Sequence, residues 1–309
     1  MRRHAFTLIE LLVVIAIIAL LIGLLLPAIA KSRLSAWHVV SHANIRSICQ
    51  AAATYQDSYK GFMPVVPNRP SGRGQIPESQ MASLNAICSW GFGGKNNNGK
   101  WATTVYPGLF DHEAADRPLN SYLYPSIAPE PRDNSMLPPT SDERRNLQMP
   151  VYRDPSDKAS YQQKWNQTQT PNPHWPSIVS TNEAGYPINS YDDVGSSYHA
   201  NLKWHEQLAA TLGGASAWQR AFYGGLKRLK VADSFSPSRF AWIHDQYADI
   251  CVYNPSSTFT VRNGYGDMNR SIMGFMDGHA AYLPLFPGRQ PKSYQNEYYT
   301  FIFPDLRIP

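Results

Sequence analysis

The side chain with the clearest chemical meaning is Glu10, a lone carboxylate in an otherwise apolar run from Phe6 to Leu26. As a helix that run is about 31 Å long, close to the thickness of a bilayer's hydrocarbon core. A carboxylate in such a span costs up to about 3 kcal/mol at the centre and less near the edge, so its presence marks a function. Ahead of the run stand Arg2, Arg3, His4 and the small residue Ala5, which puts the polar-to-apolar junction between Ala5 and Phe6. A secretory signal peptide has a shorter apolar segment with its cleavage site behind it. Here the segment is longer and the junction lies in front.

Other arrangements with chemical potential fall short of a site. His112-Glu113 is followed by Ala114, Ala115 and Asp116, and His205-Glu206 by Gln207, Leu208 and Ala209, so neither has the second histidine of a zinc-protease helix. No G-x-S-x-G elbow is present. Asp245, Asp249, Asn254, Asp267, Asn269 and Asp277 offer oxygen ligands of the kind Ca²⁺ takes, without the spacing of an EF-hand. His199, His244 and His279 read as surface or hydrogen-bonded residues rather than metal ligands. Trp90, Trp101, Trp165, Trp175 and Trp204 stand in loop-rich sequence, where flat rings either stack on sugars or protein partners or fill small cores under the loops; the second is the expectation. No catalytic residue, resident cofactor or metal ligand is assigned, and the chain is read as not an enzyme.

Composition bounds the rest. Hydrophobic residues make 43% of the 309 positions and charged residues 17%, enough for one core outside the membrane run. The 18 Tyr and 8 Trp argue against disorder, while 20 Gly and 25 Pro argue for many loops. A net charge of +5 is mild, and KRLK at 227–230 reads as a solvated helix end, so nucleic acid is not an expected partner. Three cysteines allow one bridge. Cys88 with Cys251 is the pair if the domain is exported, because Cys49 falls on a buried helix position; three free thiols are the alternative.

The elements that would carry these residues follow from periodicity. Past Pro27 a helical stripe continues through Ile29, Trp37, Val40, Asn44, Ile48, Ala51 and Tyr55, predicting one helix near 50 residues that Gly61 and Pro64 end. Its first half would face lipid and its second half a sheet. Residues 64–176 predict long loops with short strands. RFAWIHD at 239–245, ICVY at 250–253 and YYTFIF at 298–303 predict strands, and Ala217–Leu229 a helix. Asp277-Gly278 separates SIMGFM from HAAYLP, predicting a two-residue hairpin loop of type I′.

The run of Ala5, Phe6, Thr7, Leu8, Ile9 and Glu10 after a basic leader, with Pro27 downstream, resembles the type IV prepilin and type II secretion pseudopilin family, with alanine where the family usually has glycine. The resemblance implies an α+β pilin-like fold, a long N-terminal membrane-spanning helix packed on an antiparallel sheet with long loops. It implies cleavage between Ala5 and Phe6 by a prepilin peptidase, N-methylation of Phe6, and pairing of Glu10 with the terminal amine of a neighbouring subunit. The implied divisions are a leader at 1–5, a transmembrane assembly helix at 6–26, its amphipathic continuation at 27–60 and an exported domain at 61–309. A structural loop Ca²⁺ is a further family trait, for which the Asp and Asn residues above are the available ligands.

A second resemblance, to the large group of pilin-like proteins abundant in Planctomycetes and Verrucomicrobia, runs through residues 44–64, RPLNSYLY at 117–124, VYRDPSD at 151–157, GSSYHAN at 195–201 and MGFMDGHAAYL at 273–283. Asp154 stands where that group has cysteine, and Asp267 where it commonly has histidine. The function implied is structural. The chain would be a subunit assembled with other pilins by an inner-membrane platform, single-pass in the cytoplasmic membrane, with its C-terminal domain outside. The alternative is an envelope binding module that uses the helix as an anchor for its aromatic loops.

Overall fold

The computed structural model describes residues 7–61, 63–64, 89–103, 111–127, 137–161, 180–181, 185–201, 236–254, 256–288 and 298–301. The expectations for Ala5, Phe6, Cys88, Trp165, Trp175, Trp204, His205-Glu206, KRLK and the helix at Ala217–Leu229 lie outside those residues.

One helix dominates. Helix α1, Leu8–Ser58, runs 51 residues without a break through Pro27. Thr7 caps its start and Tyr59 its end, after which Lys60 and Gly61 take positive φ and turn the chain away. The first half of α1 is bare: Leu8 to Leu26 are exposed, and an 18-residue window of mean hydropathy 3.2 has no residue buried in the rest of the molecule. Burial begins in the second half, at Ser41, Ile45, Ile48, Cys49, Ala51 and Ala52. The inward stripe therefore differs in part from the apolar pattern. Ile29 and Val40 point outward at 60% and 46% exposure, while Ser41 and Ile45 take the inner positions. A search for apolar periodicity passes over Ser41, because what buries it is a hydrogen bond and not hydrophobicity.

The stripe lies on a four-stranded antiparallel sheet in the order β1 Tyr198–Ala200, β2 Ala241–Asp245, β3 Arg270–Phe275, β4 Ala280–Pro284. This is an α+β arrangement consistent with a pilin-like fold. One face, carrying Trp242, Ile243 and Ile272, packs with Ile45, Ile48 and Cys49 of α1. The other, carrying Ala241, Met273 and Phe275, packs with Ile250, Cys251, Leu285, Tyr299 and Phe301. A register shift between Ala241 and Ile243 lets the adjacent residues Trp242 and Ile243 share the helix side. Burial on both faces explains why β2 is buried throughout.

Four local expectations change. ICVY at 250–253 is helical, within the helix Gln246–Tyr253, because the Asp245 carboxylate caps Tyr247 N at 3.0 Å and starts a helix that β propensity alone would not predict. YYTFIF contributes a single parallel bridge, Thr300 to Phe240, among its described residues. The described parts of 64–176 contain 3₁₀ turns and short helices rather than strands. The hairpin at 270–284 is present with a different turn. Phe275 N donates to His279 O and Gly278 N to Phe275 O, so Met276 and Asp277 are the central residues, and Gly278 at φ +91° forms the bulge of a three-residue loop. Type I′ would need positive φ at Asp277 as well, and Asp277 does not have it.

The loops are organised by two buried arginines. Arg117 donates to the carbonyls of Trp90, Gly93, His112 and Val194, and Arg144 makes a two-pronged pair with Asp111 at 2.7 and 3.0 Å. Trp90 and Trp101 are buried in the main core beneath them, with Trp101 Nε1 donating to Asp193 Oδ1 at 2.9 Å. Cys49 and Cys251 are buried, free thiols, and the expected partner Cys88 lies outside the described residues. Burial pushes the Cys49 thiol up to about 12, which leaves it protonated and inert.

Candidate assembly site

The head of α1 is closed by a reciprocal cap. Thr7 Oγ1 accepts from Glu10 N at 3.3 Å, and Glu10 Oε2 accepts from Thr7 N at 2.8 Å and Thr7 Oγ1 at 2.7 Å. The threonine and the glutamate three residues later are the two halves of a capping box, which satisfies donors that a helix start otherwise leaves open. Glu10 is exposed, as is every apolar residue that follows it to Leu26. Its carboxylate is thus held at the tip of a bare apolar rod. Ala5 and Phe6 lie outside the described residues, immediately before the cap.

A rod transmits assembly forces only if the domain is fixed to it, and a polar seam between α1 and the sheet does this. Ser41 Oγ meets the Tyr198 hydroxyl at 2.8 Å, and Asn44 Nδ2 donates to Arg153 O at 3.0 Å and to the same hydroxyl at 3.3 Å. One turn earlier, the His38 ring packs edge-on against Tyr282 at 4.6 Å and Tyr265 at 5.3 Å. The Tyr265 hydroxyl donates to Asp154 Oδ2 at 2.7 Å. Sliding α1 by one residue would break the Ser41 and Asn44 bonds together and leave buried polar atoms unpaired, so these contacts fix register where apolar packing alone would tolerate slippage.

Two buried carboxylates back this seam. Asp245 accepts from Tyr247 N, Ser271 Oγ and Ile272 N, and Asp154 from Ser156 N besides Tyr265. Burial raises both, and the negative charge of Asp154 helps lift Asp245 to about 7. Burial lowers His38, keeping its ring neutral against the tyrosines. Asp157 does a separate task. It receives Ser190 N, Tyr191 N and Ser197 Oγ, tying the 151–157 turn to the chain that leads into β1.

The sequence singled out Glu10 and Asn44 but missed His38, Ser41, Tyr198, Tyr265 and Asp154 as a unit. The available signal was weak: polar residues at helical spacing within an otherwise apolar stripe. The proposed oxygen ligands do not gather. Asp245, Asn254 and Asn269 brace turns, Asp267 accepts from Tyr282 Oη at 2.8 Å, Asp249 holds His199 Nδ1 at 2.6 Å, and Asp277 contacts His279. Among the described residues no group of three His, Cys, Asp or Glu side chains is placed to hold a metal ion. His112 and Glu113 are buried, with Glu113 Oε1 accepting from Leu137 N at 2.6 Å.

A helix long and apolar enough to cross a membrane, with a capped carboxylate at its tip and its second half locked to an antiparallel sheet, makes an α+β arrangement consistent with a pilin-like fold. Residues 1–26 match the prokaryotic N-terminal methylation motif, consistent with a type IV prepilin-like protein. No curated protein and no solved structure matches the chain.

Proposed function

We propose that this chain is a structural pilin or pseudopilin subunit of a type II secretion or type IV pilus-like system. The observation that carries the proposal is the undivided α1, whose first half packs against none of the described residues of its own domain while its second half is hydrogen-bonded to Tyr198 of the sheet and to Arg153. In this reading a prepilin peptidase cuts between Ala5 and Phe6 and Phe6 is methylated. The apolar half of α1 holds the subunit in the cytoplasmic membrane until an assembly platform moves it into a fibre of like helices, with residues 61–309 outside. Glu10 then exchanges part of its capping box for the terminal amine of a neighbour, which relieves a charge otherwise held in lipid. The methylation motif supports a structural subunit without catalysis of its own. Burial of Trp90 and Trp101 favours this over an aromatic-loop binding module.

Intact mass and N-terminal peptide sequencing of the mature protein test the processing, and a chain beginning after residue 26 would sink the reading. Two variants separate assembly from capping. Glu10→Val should insert in the membrane normally and lose incorporation into fibres, whereas Thr7→Val should cost the first helical turn about 1 kcal/mol and assemble. Equal incorporation of Glu10→Val and the parent would remove Glu10 from the assembly contact.

A further inference from the structure

Where α1 leaves its apolar stretch, the underside of the domain forms a cleft of about 440 Å³ against Leu34. Lys158, Arg262, Tyr161 and Tyr247 contribute to its walls, and among the described residues no Asp or Glu lines it. Among the described residues neither Lys158 nor Arg262 forms an ion pair. Arg262 Nε donates to Gly266 O at 2.9 Å, which fixes the guanidinium and leaves its outer nitrogens for another acceptor. Two more cations stand near Leu34 on α1. Lys31 lies three residues before Leu34, one turn nearer the membrane on the same helix face. Arg33 stacks on Trp37 at 4.7 Å, and Lys158 Nζ approaches the same ring at 5.7 Å.

The height of this cluster is set by the helix. Leu34 is about 12 Å along α1 from Leu26, the last residue of the apolar run. The headgroup layer extends roughly 5–8 Å beyond the hydrocarbon core, and long Lys and Arg side chains reach back toward it from residues just outside. Trp37, half-buried between two cations, has the amphipathic character that favours the membrane interface. A cleft whose described lining carries two cations without an ion pair and no carboxylate, held at that height, is complementary to an anion that the bilayer surface itself supplies.

We propose that Lys158 and Arg262, with Lys31 and Arg33 near Leu34 on α1, form a receptor for the phosphate of an anionic phospholipid headgroup. This rests on the membrane-anchored reading of α1. The receptor would hold the domain upright on the bilayer before assembly, with the headgroup in the cleft and its acyl chains running down beside the bare half of α1. On entry into a fibre the lipid would be released.

The experiment uses the full chain in detergent micelles, titrated with short-chain phosphatidylglycerol, short-chain phosphatidylcholine or inorganic phosphate, with bound lipid counted by native mass spectrometry and stability followed by thermal melting. Phosphatidylglycerol should bind and raise the melting temperature more than phosphatidylcholine does. Lys158→Gln should weaken it about five-fold, the usual effect of one cation at an anionic surface, and Lys158→Arg should retain it. Lipid-free melts of the variants establish that the fold is intact, and the parent's preference between the two lipids stands whether or not a variant folds. Equal binding of the two lipids overturns the proposal. A shift produced as strongly by inorganic phosphate assigns the cleft to free phosphate and overturns the lipid. Carbonate extraction from phosphatidylcholine vesicles tests anchoring separately: a chain that washes off fails as a membrane subunit, while one that stays but shows no headgroup preference fails only as a lipid receptor.

Discussion

Gly274 of β3 lies directly under Cys49 of α1, so close that a Cβ at position 274 would stand 2.3 Å from the cysteine sulfur. The same atom would meet Ile243 Cγ2 at 2.5 Å and Ile45 Cγ2 at 2.7 Å. The helix reaches the sheet here because one residue has no side chain, and three neighbours share the space. Gly274→Ala should destabilise the domain by about 1–3 kcal/mol through overpacking. Adding Cys49→Ala should restore part of the loss, since it relieves the nearest contact but leaves both isoleucines. Denaturant melts of the two variants against the parent measure this, and an unchanged Gly274→Ala midpoint would mean that the helix sits higher on the sheet.

Gly278 presents the opposite case. Nothing lies within 4 Å of a Cβ built there, so its glycine is required by φ alone. Gly278→Val should cost roughly 1–3 kcal/mol, while Gly278→Asn, which tolerates the left-handed region better, should cost less. The adjacent His279 stacks on Phe275 at 4.2 Å and contacts Asp277, but both side chains are substantially exposed. His279→Gln should therefore lose less than about 1 kcal/mol. Thermal melts order the three variants.

The buried carboxyls make stability depend on pH in a defined direction. Asp245 rises from an ordinary 3.8 to about 7, and Asp157 moves the same way to about 6. Below an ordinary carboxylate pKa both folded and unfolded chains hold these protons. Between that value and about 7 the unfolded chain releases them first, so the folded state loses its relative advantage as pH rises, and above about 7 no further loss comes from Asp245. The contribution of these two carboxyls should lower the melting temperature between about pH 4 and pH 7 and then level off, and Asp245→Asn should flatten that slope. A rising melting temperature across the window would show that Asp245 is ionised in the folded protein.

The division of α1 predicts that the domain does not need the membrane half. Burial starts beyond Pro27, with the partly covered Leu34, Trp37 and His38 before Ser41. A chain beginning at Lys31 should keep every seam contact and melt cooperatively, with a detergent or fusion partner covering the exposed helix face if needed. Soluble aggregates without a transition would place part of the core in the apolar run.

Much of this was legible in residue order because it depends on local rules. A long apolar run, a glycine and a proline past the end, and two apolar stretches around Asp-Gly specify a long helix and a hairpin through steric and periodic effects within a few residues, whereas the Thr7–Glu10 cap emerged only in the structure. The choices left to tertiary structure were those in which distant groups compete for one space or one hydrogen bond. Ser41 displaces Val40 as the inward residue because Tyr198, far away in the chain, offers it a hydroxyl. ICVY becomes helix because Asp245 caps it while also accepting from Ser271 and Ile272 of the neighbouring strand. The hairpin has three loop residues because Phe275 pairs with His279 across it. Glu10 was visible because a carboxylate in an apolar run is anomalous in any fold, whereas the cations around Leu34 look like ordinary surface charges until the chain folds and brings Lys158 and Arg262 to a cleft against Leu34 of α1.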